Sequence, residues 1–169
     1  MTIDVTAKSA TAVAYGSAAE ADAYFTARAI TTWTGTDAAK EAALIRGCDY
    51  LEGKYRGRWE GLATTEAQSL SWPRGYICDV DGYSIDADTV PNKVKYANFE
   101  AALLILTGAD LEPALERGGA PIMERVKAGP VETETEYSAG APARSVFTKI
   151  EGLLVGLVKN QNTVELARV

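Results

Sequence analysis

Apolar residues recur at helical spacing along much of the chain. Leu44, Ile45, Cys48, Leu51 and Tyr55 fall three or four positions apart and make one stripe, while Lys40, Glu41, Arg46, Asp49 and Glu52 fall largely off it. The spacing predicts a helix over 37–55, with Asp37 as its N-cap. Upstream, Ser17 and Glu20 have the S-x-x-E spacing of a capping box, in which each side chain satisfies a free backbone N–H. That predicts a helix over about 17–30 through Ala21, Tyr24, Phe25 and Arg28, with Trp33 and Gly35 in the connection after it. Pro91 suits the first turn of a third helix. Val94, Ala97, Ala101, Leu104 and Ile105 continue it to about Thr107, and Gly108 stops it. Leu103 and Leu106 widen its apolar surface, which predicts a central place in the core. A last stripe, Val146, Phe147, Ile150, Leu153, Leu154, Leu157 and Val158, predicts a helix over about 143–159.

The intervening segments are of different kinds. Residues 1–14 are rich in Thr and Ala and read as an extended arm or short strand. Residues 56–89 are irregular, punctuated by Gly57, Gly61, Gly75 and Gly82, and Pro73 blocks a helix there. Trp59 and Trp72 predict a loop packed by its own side chains, with Trp59, Gln68, Trp72, Pro73 and Arg74 as its structural anchors. Pro113, Pro121, Pro130 and Pro142 mark 109–142 as poor helix-forming sequence. Within it, 122–127 and 131–137 flank Gly129-Pro130 and predict a β-hairpin. The tail, 160–169, is polar and is expected to be flexible on its own. The fold class expected is mainly α: a small bundle of about four helices with a long packed loop and a β-hairpin in the C-terminal half. The divisions are the arm (1–14), a helical core (15–108), the Pro/Gly-rich segment (109–142), the C-terminal helix (143–159) and the tail.

Composition narrows the chemistry. The chain has 169 residues, 47% of them hydrophobic, enough to bury a core without disulfides or a structural metal. Seventeen basic residues against 23 acidic ones leave a net charge of −6. That argues against a protein that coats nucleic acid, since such binding uses Lys and Arg to displace phosphate counterions. Histidine is absent, which removes His-based triads, bases and metal ligands. Cys48 and Cys78 have no metal-ligand spacing; a bridge is open, but two free thiols acting as small hydrophobes are the expectation. Neither the first fifteen residues nor the apolar run 152–158 has the pattern of a signal peptide or a membrane span. A cytosolic protein, or an assembly built in the cytosol, is expected.

Each chemical motif competes with a plainer structural role. Asp79-Val80-Asp81-Gly82 through Asp88 resembles a calcium loop, but placing Gly82 at the sharp turn puts Ile77 at the first ligand position, so a solvated acidic turn is favoured. Glu132, Glu134 and Glu136 alternate along one strand face. A solvated face is favoured over a metal site, and in an assembly such strands would be a channel-facing acidic wall that repels DNA phosphates. Lys54, Arg56 and Arg58, interleaved with Tyr55 and Trp59, form the one basic–aromatic cluster, a composition that can hold single strands. A structural role is favoured for it. Gly152-x-x-x-Gly156 suggests a backbone approaching the last helix, with chance or a local bend as alternatives. No GxxxxGK[ST], GxSxG or HExxH pattern occurs, no cysteine is paired with a general base, and no cofactor is implied.

The order of landmarks is more specific than any single motif: Y15-G-S-A-A-E-A-D-A-Y24-F, then W33, K40-E-A-A-L-I-R-G-C-D-Y-L51, W59-x-G61, Q68-S-L-S-W72-P-R74, and V90-P-N-K-V94. This series resembles the small head–tail connector (adaptor) proteins of tailed bacteriophages and prophages, often labelled putative DnaT-like single-stranded DNA-binding protein. The resemblance covers about residues 12–107 well and the remainder loosely.

The resemblance implies a structural protein of the virion neck, assembled in the bacterial host cytoplasm, without catalysis. Such proteins form a homo-oligomeric ring of about twelve copies (a dodecamer) through a heterologous interface. Its partners would be the portal protein and a stopper or tail-completion protein, with double-stranded DNA passing through unread and no membrane involved. The acidic balance suits a channel in which DNA slides. Partner contacts are expected on the last helix: Val146, Phe147, Ile150, Gly152, Leu154, Gly156 and Leu157. Two alternatives come from other classes. One is a single-stranded DNA-binding protein using the Lys54–Trp59 cluster. The other is a metal-dependent hydrolase using carboxylates at 79–88 and 132–136.

Overall fold

The computed structural model describes residues 3–112, 121–127, 132–137 and 147–159. Its elements are helices α1 (Ala18–Thr26), α2 (Asp37–Tyr55), α3 (Asn92–Leu106) and α4 (Thr148–Leu153), with strands β1 (Leu62–Ala63), β2 (Arg74–Gly75), β3 (Pro121–Lys127) and β4 (Glu132–Tyr137). The fold is mainly helical, with a small antiparallel hairpin in the C-terminal half.

The chain divides into two compact units, one of Met1–Ala109 with Thr148–Val169, the other Asp110–Phe147. In the first, α3 is central and packs against α1, α2 and α4. Val94, Ala97, Asn98, Phe99, Ala101 and Ala102 are buried along it. Small residues let α2 and α3 approach closely: a Cβ at Gly47 would sit 3.0 Å from the Ala102 amide nitrogen. Buried Asn98 then ties three segments together. Its Oδ1 accepts from the Tyr15 amide at 3.1 Å, and its Nδ2 donates to the Leu44 carbonyl at 2.9 Å. A second group of side chains, Tyr24, Phe25, Trp33, Tyr96 and Phe99, stacks edge-on or tilted with neighbouring ring centroids 4.5–6.3 Å apart.

The Ser17–Glu20 capping box forms with both of its bonds, and α1 stops at Thr26, short of residue 30. The N-cap of α2 is Thr36, whose hydroxyl accepts from the Ala39 amide, so Asp37 is the first helical residue. Pro91 is the N-cap of α3. Among its described residues, 3–14, the arm forms no strand. Asp4 folds it instead, accepting from the Thr6 amide and from the Ser9 and Thr11 hydroxyls.

The last helix differs most from expectation. It spans six residues rather than 143–159, and 143–146, Val146 included, lie outside the described residues. Gly156 adopts φ +81°, a left-handed conformation that ends helical propagation. The chain beyond it runs extended beside residues 58–60: Glu60 N donates to Leu157 O at 3.0 Å, Lys159 N to Arg58 O at 2.7 Å, and Trp59 bridges Val158 antiparallel. Tertiary pairing thus replaces the helix that the apolar spacing predicts.

The second unit contains the hairpin. Its strands run in the register Met123↔Glu136, Arg125↔Glu134 and Lys127↔Glu132, with an irregularity between Pro121 and Met123. In register, Glu134 and Glu132 of the predicted acidic strand are thus paired with Arg125 and Lys127, and Glu136 with Met123.

Candidate functional site

The residues singled out in the loop meet at one place, beneath the C-terminal end of α2. Trp72 and Pro73 are almost fully buried, and Trp72 meets Trp59 edge-on at 5.7 Å. Gln68 closes the loop on itself: its Oε1 accepts from the Thr65 amide at 3.0 Å, and its Nε2 donates to the carbonyls of Leu70 at 2.8 Å and Pro73 at 3.1 Å. Arg74 spreads its guanidinium over three carbonyls, those of Glu60 and Gly61 at 2.7 Å and of Ser71 at 3.3 Å. The Trp72–Pro73 peptide bond is cis.

A carboxylate lies within this arrangement. Glu52, on the polar side of the α2 stripe by spacing alone, accepts from the Tyr15 hydroxyl, from the Ser71 hydroxyl at 2.6 Å and from the Ser71 amide at 3.2 Å. Burial, then the Glu52 charge, push the Tyr15 hydroxyl well above the usual tyrosine range. Burial also holds the Cys48 thiol up, with Glu52 adding to it. Such a thiol is protonated at neutral pH and behaves as a small hydrophobe. Both cysteines are free.

The basic–aromatic cluster is turned inward. Tyr55 and Trp59 are each 2% exposed, too little for a base to stack on either. Lys54 Nζ lies 3.0 Å from Glu151 Oε1 and 3.0 Å from the Tyr50 hydroxyl. Burial disfavours its charge, but those two bonds outweigh burial and raise its pKa. Arg58 donates to the Lys159 carbonyl at 3.3 Å, while Arg56 is exposed. The cluster thus joins α2 to α4 and to the extended segment after it.

The acidic loop is a tight turn. Asp79 Oδ1 accepts from the amides of Asp81 at 3.0 Å and Tyr83 at 2.9 Å, and Gly82 takes φ +88°. Among the described residues, no group of three or more Asp, Glu or Cys is placed to hold a metal ion. Between this turn, the start of α3 and Val155 lies an open groove of about 170 Å³, lined by Asp79 and Lys93 as well as by Ile85, Pro91 and Leu157. Val80, Tyr83 and Val155 are exposed there or beside it. In the last helix and the turn after it, Ile150, Leu154 and Leu157 are buried core residues rather than a free partner face, and Phe147 is half-buried. Gly152 faces open space, whereas a Cβ at Gly156 would sit 2.5 Å from the Val80 side chain, so a neighbour does approach one of the two glycines.

Two buried groups have no counterpart in the sequence patterns. Asn98 lies within an apolar stripe. Glu100, 4% exposed, accepts from the Tyr24 hydroxyl at 2.8 Å and pairs with Lys149 at 2.6 Å, linking α1, α3 and α4. Polar residues on buried helix faces were the available signal for both.

A family model described as putative DnaT-like ssDNA binding protein matches residues 1–169. No curated protein and no solved structure matches the chain. The match agrees with the label attached to the resemblance and names no virion, portal or ring.

Proposed function

The chain belongs to the family of putative DnaT-like ssDNA binding proteins, and on that premise we propose that it binds single-stranded DNA without catalysing a reaction. The whole-length family match is the observation that supports this reading. The geometry limits how such binding works. Tyr55 and Trp59 are buried and Lys54 is ion-paired, so the 54–59 cluster supplies no base-stacking platform. Contact is left to exposed groups such as Arg56, Lys93 and the tyrosines Tyr76 and Tyr83. An excess of six acidic charges opposes it at long range. The expected affinity is weak, with a shallow salt dependence of about −0.7 in log–log slope per phosphate contacted. Anisotropy titration of a labelled oligonucleotide at several salt concentrations tests this. Absence of any binding at low salt overturns it.

We also propose a second reading, a ring-forming connector beneath a phage portal that lines a DNA exit channel and meets a stopper protein. The observation that favours it is the acidic balance combined with the inward-turned basic–aromatic cluster, which suits a surface that DNA passes without sticking. The ordered landmarks from Tyr15 to Val94 support it too. Electron microscopy of the chain mixed with portal particles tests this reading. A ring on the portal's narrow end is expected, and portals that stay bare overturn it.

A further inference from the structure

Between residues 77 and 85 the chain turns back on itself as a short projection. Asp79 N donates to Tyr83 O at 2.8 Å and Ile85 N to Ile77 O at 2.9 Å, and buried Ile77 anchors it in the core. One flank of the projection is a wall of the groove of about 170 Å³; the start of α3 and Val155, in the turn after α4, complete it. Val80 and Val155 are 59% and 62% exposed, and Tyr83 at the tip is 74% exposed. Scattered apolar side chains on a surface are ordinary, but several around one groove, rimmed by charge, mark an interaction site. A Cβ at Gly156 would sit 2.5 Å from the Val80 side chain, so the projection rests directly on the turn that carries Val155 and the groove is built into the fold. A cavity of about 150 Å³ holds a benzene-sized ring, so this groove has room for one large apolar side chain.

Charge decides what that side chain belongs to. The projection and the residues after it carry Asp79, Asp81, Asp86 and Asp88, against Lys93 in the groove wall and Lys8, which is paired with Asp88. Among the described residues no cation pairs with Asp79, Asp81 or Asp86. We propose that the groove is a docking site for a basic segment of a partner protein, which inserts one large apolar side chain between Val80 and Val155 and sets lysines or arginines against the aspartates. Such a rim attracts and orients a basic segment, whereas it repels phosphates and acidic segments. A second copy of this chain, with its net charge of −6, is a poor match for the same reason. The inference does not rest on the single-stranded DNA reading, and an oligonucleotide is a competing occupant in its test.

The probe is a synthetic peptide with a Trp-Leu centre between two runs of lysine, titrated into the full chain and followed by amide NMR. Saturable shifts centred on Val80, Ile85, Lys93 and Val155 are expected, with a dissociation constant of about 0.1–1 mM. A peptide with glutamates for lysines is expected to bind at least about tenfold more weakly, and one with Ser-Ser for Trp-Leu at least about fivefold more weakly. On the protein side, Val155→Ser and Asp81→Lys are each expected to weaken the basic peptide about fivefold. Both positions are exposed, so neither substitution should disturb the fold; should Val155→Ser unfold the chain, Asp81→Lys decides. The proposal is overturned by absence of saturable shifts, by equal binding of the glutamate or Ser-Ser peptide, or by indifference to Asp81→Lys. Shifts of the same amides by a thymidine oligonucleotide at lower concentration than the peptide assign the groove to nucleic acid and overturn it. Shifts of these amides on dilution of the chain alone assign it to a second copy and likewise overturn it.

Discussion

Gly47 and Asn98 meet where α2 crosses α3: a Cβ on residue 47 would stand 3.1 Å from both the Nδ2 and the carbonyl oxygen of Asn98. The same approach brings it 3.0 Å from the Ala102 amide, which as helix backbone cannot step aside. Helix propensity favours alanine over glycine by about 1 kcal/mol. Overpacking a tight core costs about 1–3 kcal/mol. Gly47→Ala is therefore expected to lower stability by about 1 kcal/mol net in urea melts. Gly152 in α4 faces open space, so Gly152→Ala is expected to do the opposite and add up to about 1 kcal/mol. Equal effects of the two substitutions would show that the close crossing does not limit residue 47.

This contrast shows what periodicity can reveal. The α2 stripe gives both ends of that helix because Leu44, Cys48, Leu51 and Tyr55 all point to one core. Spacing does not reveal half-buried Glu52 as an acceptor within the loop, because its partners Tyr15 and Ser71 arrive from distant parts of the chain. Nor does it reveal the early end of α4. Apolar residues from Ile150 to Val158 suit a helix, but Leu157 and Val158 are used by an extended pairing with 58–60 that only the tertiary fold supplies. Tyr55 and Trp59 illustrate the same limit at the candidate site. As a sequence they could be a stacking platform, and their burial alone decides otherwise.

Asp22 gives the chain an acid-sensitive joint between α1 and α2. Partial burial raises its pKa, but bonds from Lys40 at 2.7 Å and the Trp33 indole at 2.6 Å outweigh it and hold the carboxyl below its ordinary value. A depressed folded pKa contributes stability that is full above the unfolded value, about 4, and is lost as pH falls through the folded one. Asp22→Asn is therefore expected to cost up to about 1 kcal/mol at pH 7, a modest figure because the carboxylate is 45% exposed. The gap between variant and wild type is expected to close towards pH 3. Urea melts at both pH values check it, and a pH-independent gap would assign the loss to packing.

Trp72 anchors the long loop through its ring and not through its N–H, which is buried without a hydrogen-bond partner. Trp72→Ala is expected to cost about 3 kcal/mol or more, the penalty of a large buried ring. Trp72→Phe is expected to cost much less, since it keeps an aromatic beside Trp59 and gives up no hydrogen bond. Arg74 acts by a different means, its planar fork reaching the Glu60 and Gly61 carbonyls together. Arg74→Lys, which keeps the charge but loses the fork, is expected to cost about 1–3 kcal/mol. Thermal melts that rank Phe with Ala at position 72 would mean that the indole N–H matters after all.

Lys54 separates a structural from a nucleic-acid role for the basic–aromatic cluster. Its ammonium joins α2 to α4 through Glu151 and leans over the Tyr50 and Tyr55 rings at 5.4 and 5.3 Å. Lys54→Met keeps the stem and removes the charge. It is expected to lower stability by about 1 kcal/mol, and Glu151→Gln by a similar amount, since the pair is only partly buried. The two together should cost less than their sum, the signature of a direct pair. Oligonucleotide affinity and its salt slope are expected to stay at wild-type values in Lys54→Met, because this ammonium already has its acceptors within the fold. Exposed Arg56 is the internal comparison, and Arg56→Ala is expected to leave stability within about 0.5 kcal/mol. If Lys54→Met instead flattens the salt slope by the increment of one phosphate contact, about 0.7, the ammonium must leave Glu151 to meet DNA. The α2–α4 joint would then open on binding.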